Sequence, residues 1–288
     1  MEDLNGRVAV VTGGANGIGY ALAEAFAGVG AKLVLADVDE AELDAAVRRL
    51  GDAGATVSGV PTDVSDAAQV EALRDATLAA HGAVHVVCNN AGVGTGGLSW
   101  EIPLSQYQWV LGVDLFGVIH GVRTFTPLLV EQGEGHIVNT ASMAGLLSAA
   151  FMAPYNIAKH GVVTLSETLF AELASLAPEV GVSVLCPGWV NTRIYDAGRY
   201  GQGATGSVAA DADPTGGADD GAGFAEIVKG LVADGLEPAD VAAQVLDAVL
   251  TRRFYVLTHP DWMPLVADRT QRTMDGGDPG VGTLPSDA

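Results

Sequence analysis

Lysine is nearly missing from this chain: Lys32, Lys159 and Lys229 are the only three in 288 residues. Basic residues of both kinds number 14 against 35 acidic ones, a formal charge of −21. A surface this negative repels phosphate backbones, so nucleic acid is not an expected partner, and an anionic membrane is disfavoured for the same reason. There are two cysteines, Cys88 and Cys186, each closing a strand-like apolar run (VHVVC and VSVLC). They give neither a disulfide framework nor metal-ligand spacing, and read as small buried thiols in a reducing compartment. No apolar h-region precedes a cleavage site in MEDLNGRVAVVTGG, so no secretory signal is visible and a cytoplasmic location is expected. The stretch Ile137–Ala158 has no charge, yet it holds Asn139, Ser142, Pro154 and Asn156. A lone helix in lipid tolerates that set poorly, so the stretch reads as part of a buried site and no membrane partner is expected.

What is present is a chain that can bury a large core, 49% hydrophobic and 17% charged. Short β-branched runs alternate with helical patterns. RVAVVTG, AKLVLAD, ATVSGVPTD, VHVVCNN, GHIVNTAS and VSVLCPG read as six strands, and FYVLTH as a seventh. Helical spacing is expected over Ile18–Val29, Glu40–Leu50, Asp66–Ala80, Gln106–Glu131 and Pro154–Ala177, and in LEPADVAAQVLDAVL. Near-continuous apolar strands alternating with helices predict an α/β fold: a doubly wound, Rossmann-type, mostly parallel sheet of about seven strands with helices on both faces. A single domain over 1–288 is expected. A Gly-, Ala- and Asp-rich segment within about 193–235 follows the sixth strand and reads as a lid, and about 275–288 as a flexible tail.

VVTGGANGIGYALAEAF puts glycines between the first strand and first helix. Gly13, Gly17 and Gly19, with Asn16 and Ile18 between them, form a turn where backbone can approach a ligand and a helix N-terminus can face a pyrophosphate. The spacing is G-x-x-x-G-x-G rather than G-x-G-x-x-G. Asp37 ends the second strand, 18 residues after Gly19. A carboxylate there accepts from ribose hydroxyls and repels a 2′-phosphate, which points to NAD over NADP. The competing reading is a helix cap, with Asp39 as a rival for either role. Asp63 and Val64 after the third strand, and Asn90, Ala91 and Gly92 after the fourth, sit where such sheets bind ligands or simply turn.

Tyr155 and Lys159 are four apart, one helical face, with Pro154 at the helix start. A nearby cation lowers a phenol's pKa and makes it a proton donor and acceptor. Ser142, 13 residues upstream, could hydrogen-bond a substrate oxygen. A surface Tyr with an unrelated Lys is the bland alternative.

TGGANGIG, NNAG, NTASMAG, YNIAK and PGWVNT occur in this order, and over residues 5–195 the chain resembles the short-chain dehydrogenases/reductases, single-domain branch. The resemblance implies a nicotinamide cofactor, Tyr155 as acid/base, Lys159 lowering its pKa and binding ribose, and Ser142 orienting the carbonyl or alcohol. It implies that Pro187, Gly188, Val190 and Thr192 contact the nicotinamide amide, and that copies pair through the two long helices as a homotetramer or homodimer. Where that family commonly has Asn in its long helix, VDLFGVIHG has Asp114. A main-chain role would survive the change, and a carboxylate near Lys159 would stabilise it as a cation, so Asp114 is a fourth candidate catalytic residue; the competing reading is a helix residue with no catalytic part. No metal is expected.

The expected activity is hydride transfer between NAD(H) and a secondary alcohol or ketone. Val93–Trp100, Met143–Met152, Trp189 and the lid from Tyr195 onward are expected pocket walls, with Leu98, Trp100, Leu146, Leu147, Phe151, Met152 and Trp189 among their apolar members. Ser142, Met143, Tyr155 and Trp189 are the substrate candidates, and the walls suggest an apolar substrate. The competing readings are an NADP-dependent ketone reductase of the same kind and a non-catalytic NAD-binding scaffold or sensor.

Overall fold

Seven strands form one sheet in the order β3-β2-β1-β4-β5-β6-β7, every neighbouring pair parallel. In the computed structural model, which describes residues 3–194 and 228–280, they are β1 Val8–Thr12, β2 Lys32–Asp37, β3 Val57–Pro61, β4 Val86–Asn89, β5 Gly135–Thr140, β6 Val180–Cys186 and β7 Tyr255–Leu257. The central strands are buried at every residue because helices cover both faces, which is why their sequences are apolar without alternation.

One face takes α1 Gly17–Gly28, α2 Glu40–Asp52 and α7 Pro238–Thr251, packing Leu22, Phe26, Leu43, Val241 and Val245. The other takes α3 Ala67–His81, α5 Gly117–Gln132 and α6 Ala153–Leu176, packing Leu73, Phe125, Leu129, Val162 and Leu169. Burying each such side chain stabilises the fold by about 1.5–3 kcal/mol. A polar relay also pins α6 to the sheet: Asn89 donates to Asn139 at 2.8 Å, Asn139 to the Ser166 hydroxyl at 3.0 Å, and Ser166 to the Val162 carbonyl at 2.7 Å. All but the acceptor carbonyl are side chains out of water, so breaking the relay strands buried polar groups.

The strand order runs outward from β1 to β3, then returns to β4 on the other side. Ligands bind in the crevice that such a reversal opens at the carboxyl ends of the strands. The helix expected over Gln106–Glu131 begins and ends close to that range but is not uniform. It is α4 Leu104–Leu111, a π-turn Gly112–Phe116, then α5. The wider turn carries Asp114 inward, where it is 0% exposed. The uncharged stretch Ile137–Ala158 is divided among β5, a short 3₁₀ turn Met143–Gly145 and the start of α6.

Most of the segment expected as a lid lies outside the described residues. Its far end, 228–233, is helical, and Val228 and Val232 are buried in the core. Leu236 then pairs with the strand-end segment, donating to the Trp189 carbonyl and accepting from Asn191 N. A last helix, α8 Met263–Met274, is followed by exposed residues 275–280.

Candidate active site

A cavity of about 250 Å³ opens at the carboxyl ends of the strands. Every candidate site residue except Asp114 lines it. The glycine turn forms one wall. Gly13 has φ +61°, and a Cβ there would sit 2.8 Å from the Ala91 Cα, so only glycine lets β1 and β4 exits touch. Asn16 caps α1 without a side-chain hydrogen bond and there is no acidic residue in the first turn. The free N–H groups of α1 therefore face the cavity. By contrast α2 and α3 are capped by Asp39, accepting from Glu42 N, and Asp66, accepting from Ala68 N. An uncapped N-terminus behind a glycine turn fits a pyrophosphate.

The rivalry between Asp37 and Asp39 resolves here. Asp39 is the cap; Asp37 lies on the cavity, buried, accepting from Ala15 N and Asp39 N at 3.1 Å each. Burial is the main influence on its carboxyl and raises the pKa, with those backbone donors working against it. Two arginines lie nearer than the sequence suggests. Arg49 reaches the Ala15 carbonyl at 3.4 Å and stacks over Tyr20, and Arg193 lines the cavity and pairs with Glu42 at 3.1 Å. Asn90 is fixed by Thr12, whose hydroxyl accepts from Asn90 N at 2.9 Å and from Ala91 N at 3.1 Å.

Three side chains meet on the far wall. Tyr155, half-buried on the first turn of α6, lines the cavity together with Ser142, whose hydroxyl lowers the phenol's pKa. The Ser142 hydroxyl also caps the 3₁₀ turn, accepting from Ala144 N at 3.0 Å, and donates to the Pro187 carbonyl at 3.3 Å. Lys159, one turn along α6 and 2% exposed, donates to the Thr140 carbonyl at 3.2 Å, and its Nζ lies 5.3 Å from the centre of the Tyr155 ring. It forms a buried ion pair with Asp114, Nζ to Oδ2 at 3.1 Å. Asp114 Oδ1 accepts from Val93 N at 2.8 Å.

The expectation that a lone cation lowers the phenol's pKa needs correction. The Tyr155 pKa is raised, first by burial and second by the Asp114 charge; the Ser142 hydroxyl works against both. The cation is not alone: a carboxylate at ion-pair distance cancels most of its field at the phenol.

The sequence profile of the short chain dehydrogenase family matches residues 7–201. The chain belongs to that family.

This short-chain dehydrogenase is 40% identical over 261 residues to 1-deoxy-11-beta-hydroxypentalenate dehydrogenase of Streptomyces exfoliatus, covering 90% of this chain and 85% of the relative. It is 30% identical over 285 residues to a CLA biosynthesis dehydrogenase/reductase of Lactiplantibacillus plantarum, 98% of each chain. Among solved structures, a short chain dehydrogenase/reductase of Burkholderia phymatum in complex with NAD superposes with a TM-score of 0.92 at 45% identity, covering 98% of this chain and 99% of that one. It follows that the protein is an oxidoreductase of this family.

The walls of the dehydrogenase's cavity depart from the expected set. Met152 and Trp189 line it, but Trp100 is 78% exposed and Leu146 and Leu147 pack against the core. Val232, within the expected lid, lines it, and so do Trp109, Val113 and Trp262, which were not expected there. Trp262 packs edge-on against Trp189, and its neighbour His259 holds Gly188 N at 3.2 Å. A tryptophan in a solvent-like tail segment was a signal that something there needed covering.

Proposed function

We propose that this dehydrogenase transfers a hydride between NAD(H) and an apolar secondary alcohol or ketone, with Tyr155 as acid/base. The observation that carries the reading is that Ser142, Tyr155 and Lys159 line the same cavity as the glycine turn, with the Lys159 Nζ 5.3 Å from the centre of the Tyr155 ring. The hydride chemistry belongs to the bound cofactor. In this reading Ser142 turns its hydroxyl from the long bond to Pro187 toward the substrate oxygen. Tyr155 takes the alcohol's proton or returns one to the ketone. Lys159 donates to the Thr140 carbonyl and stands at ion-pair distance from Asp114, and its remaining donor capacity serves a ribose hydroxyl. Pro187, Gly188, Val190 and Thr192 border the nicotinamide end, and Asp63, Val64, Asn90, Ala91 and Gly92 the adenosine side and the middle.

Two observations support NAD: the buried Asp37 carboxylate on the cavity and the NAD complex of the Burkholderia phymatum relative. The arginines Arg49 and Arg193 favour the second reading, NADP, but Asp37 opposes a 2′-phosphate and Glu42 neutralises Arg193. Walls of Val93, Trp109, Met143, Met152 and Trp189 support an apolar substrate. Exposed Leu104, Phe116 and Ile157 on the long helices support pairing of copies there.

A panel of apolar secondary alcohols and cyclic ketones, run with NAD(H) and NADP(H), tests the reading. NAD(H) is expected to win by at least about tenfold in kcat/KM, a margin of about 1.4 kcal/mol. Asp37→Ala is expected to narrow that gap from both sides. A preference for NADP(H) in the unaltered protein would overturn the cofactor assignment.

A further inference from the structure

We propose, resting on the acid/base reading of Tyr155, that Asp114 is a positioning residue: its carboxylate clamps the Lys159 ammonium and cancels its field at the phenol, setting the reaction's working pH on the alkaline side.

The geometry is specific to a carboxylate. Two donors converge on residue 114, the Val93 backbone N–H at 2.8 Å from Oδ1 and the Lys159 ammonium at 3.1 Å from Oδ2. A carboxylate accepts on both oxygens; an amide would turn its NH₂ against one of the donors. The clamp also needs the π-turn, which brings Asp114 inward from the long helix. The ammonium is thus held between Asp114 and the Thr140 carbonyl, one helical turn from Tyr155.

The groups around the phenol come from four elements. Lys159 and His160 share its helix, Asp114 comes from the long helix, Ser142 from the turn after β5, and the Cys186 thiol from the end of β6. His160 Nδ1 is engaged by the Asn156 carbonyl, and burial pushes the Cys186 thiol up to about 12, so it stays neutral. Lys159 and Asp114 are the charges that remain, and together they sum to zero. The phenol therefore sees an ion pair, which agrees with the upward influence of Asp114 on its pKa. Take the carboxylate away and a net cation is left beside the ring. The phenol then loses its proton at lower pH.

The test is Asp114→Asn, read two ways: the pH dependence of alcohol oxidation with NAD, and the tyrosinate absorbance titration of Tyr155, taken as the difference between each protein and its Tyr155→Phe counterpart. Both transitions are expected to move together to lower pH by about one to three units, the range for one nearby charge. Asp114→Ser, which keeps an oxygen for Val93 N–H and drops the charge, is expected to move them the same way, and serves if the amide variant fails to fold. Activity falling equally at every pH with both transitions in place would mean a structural role only and overturn the proposal. If Tyr155→Phe itself retains turnover, it is the underlying acid/base reading that fails.

Discussion

Tyr155→Phe lowers turnover by about 10²–10⁴, the usual contribution of a positioned acid/base, and leaves NAD affinity within a few-fold of the original. The change deletes one oxygen. The glycine turn, the free end of α1 and Asp37 are untouched, and so is the Asp114–Lys159 pair, so the cofactor's cradle survives. What is lost is the proton path from the cavity. Steady-state kinetics with the best alcohol and a binding titration with NAD separate the two effects. Turnover that stays within a few-fold would contradict the assignment.

Lys159→Met is expected to cost both activity and stability, and the stability loss is the larger structural signal. The substitution keeps the stem and removes the charge, so Asp114 is left ionised, 0% exposed, with only Val93 N as donor. Breaking a buried pair on one side costs about 3–5 kcal/mol. At about 2–4 °C per kcal/mol for a chain of this size, the melting temperature falls by roughly 6–20 °C. The pH dependence has a definite sign. Burial raises the Asp114 pKa in the folded protein, and the variant loses the lysine that opposes this. A carboxyl whose folded pKa lies above its unfolded value of about 3.9 is penalised when ionised, so the deficit is largest at neutral pH and shrinks as pH falls toward that value. The double variant Lys159→Met, Asp114→Leu recovers most of the melting temperature, because no unpaired charge remains. It stays inactive. A single variant as stable as the original at neutral pH would show that the pair carries no such role.

The parts of this account legible in the sequence are those that local geometry decides. Strands buried on both faces read as apolar runs, and all the observed strands but β6 fall inside the runs expected, with shorter ends at β3 and β7; β6 begins two residues earlier, at Val180. The Tyr155–Lys159 spacing fixes a shared helical face whatever surrounds it. The glycine turn declares itself because Gly13 needs a positive φ. Long-range partnerships were less visible. Asp114 and Lys159 are 45 residues apart, and their contact depends on a π-turn that helical periodicity does not announce. Burial first and that carboxylate second raise the phenol's pKa, against the expectation of a lone cation. Trp262 reaches the cavity from beyond residues 195–227, carried there by β7, which pairs with β6. Trp100 was expected in the wall because it is apolar and close in sequence to Val93, but the segment after Val93 turns outward and leaves it exposed. Asp37 and Asp39 could not be ranked from sequence because both suit a cap; the choice was made by which one meets α2's first N–H groups.

The most direct test of the central claim is formation of NADH in a single turnover, with enzyme in excess over an apolar secondary alcohol and NAD saturating. The account predicts NADH formed to the extent of the limiting alcohol, faster as pH rises, and absent in Tyr155→Phe. Tight NAD binding with no NADH from any alcohol in the panel, at any pH, would contradict it and leave a nucleotide-binding scaffold as the better description.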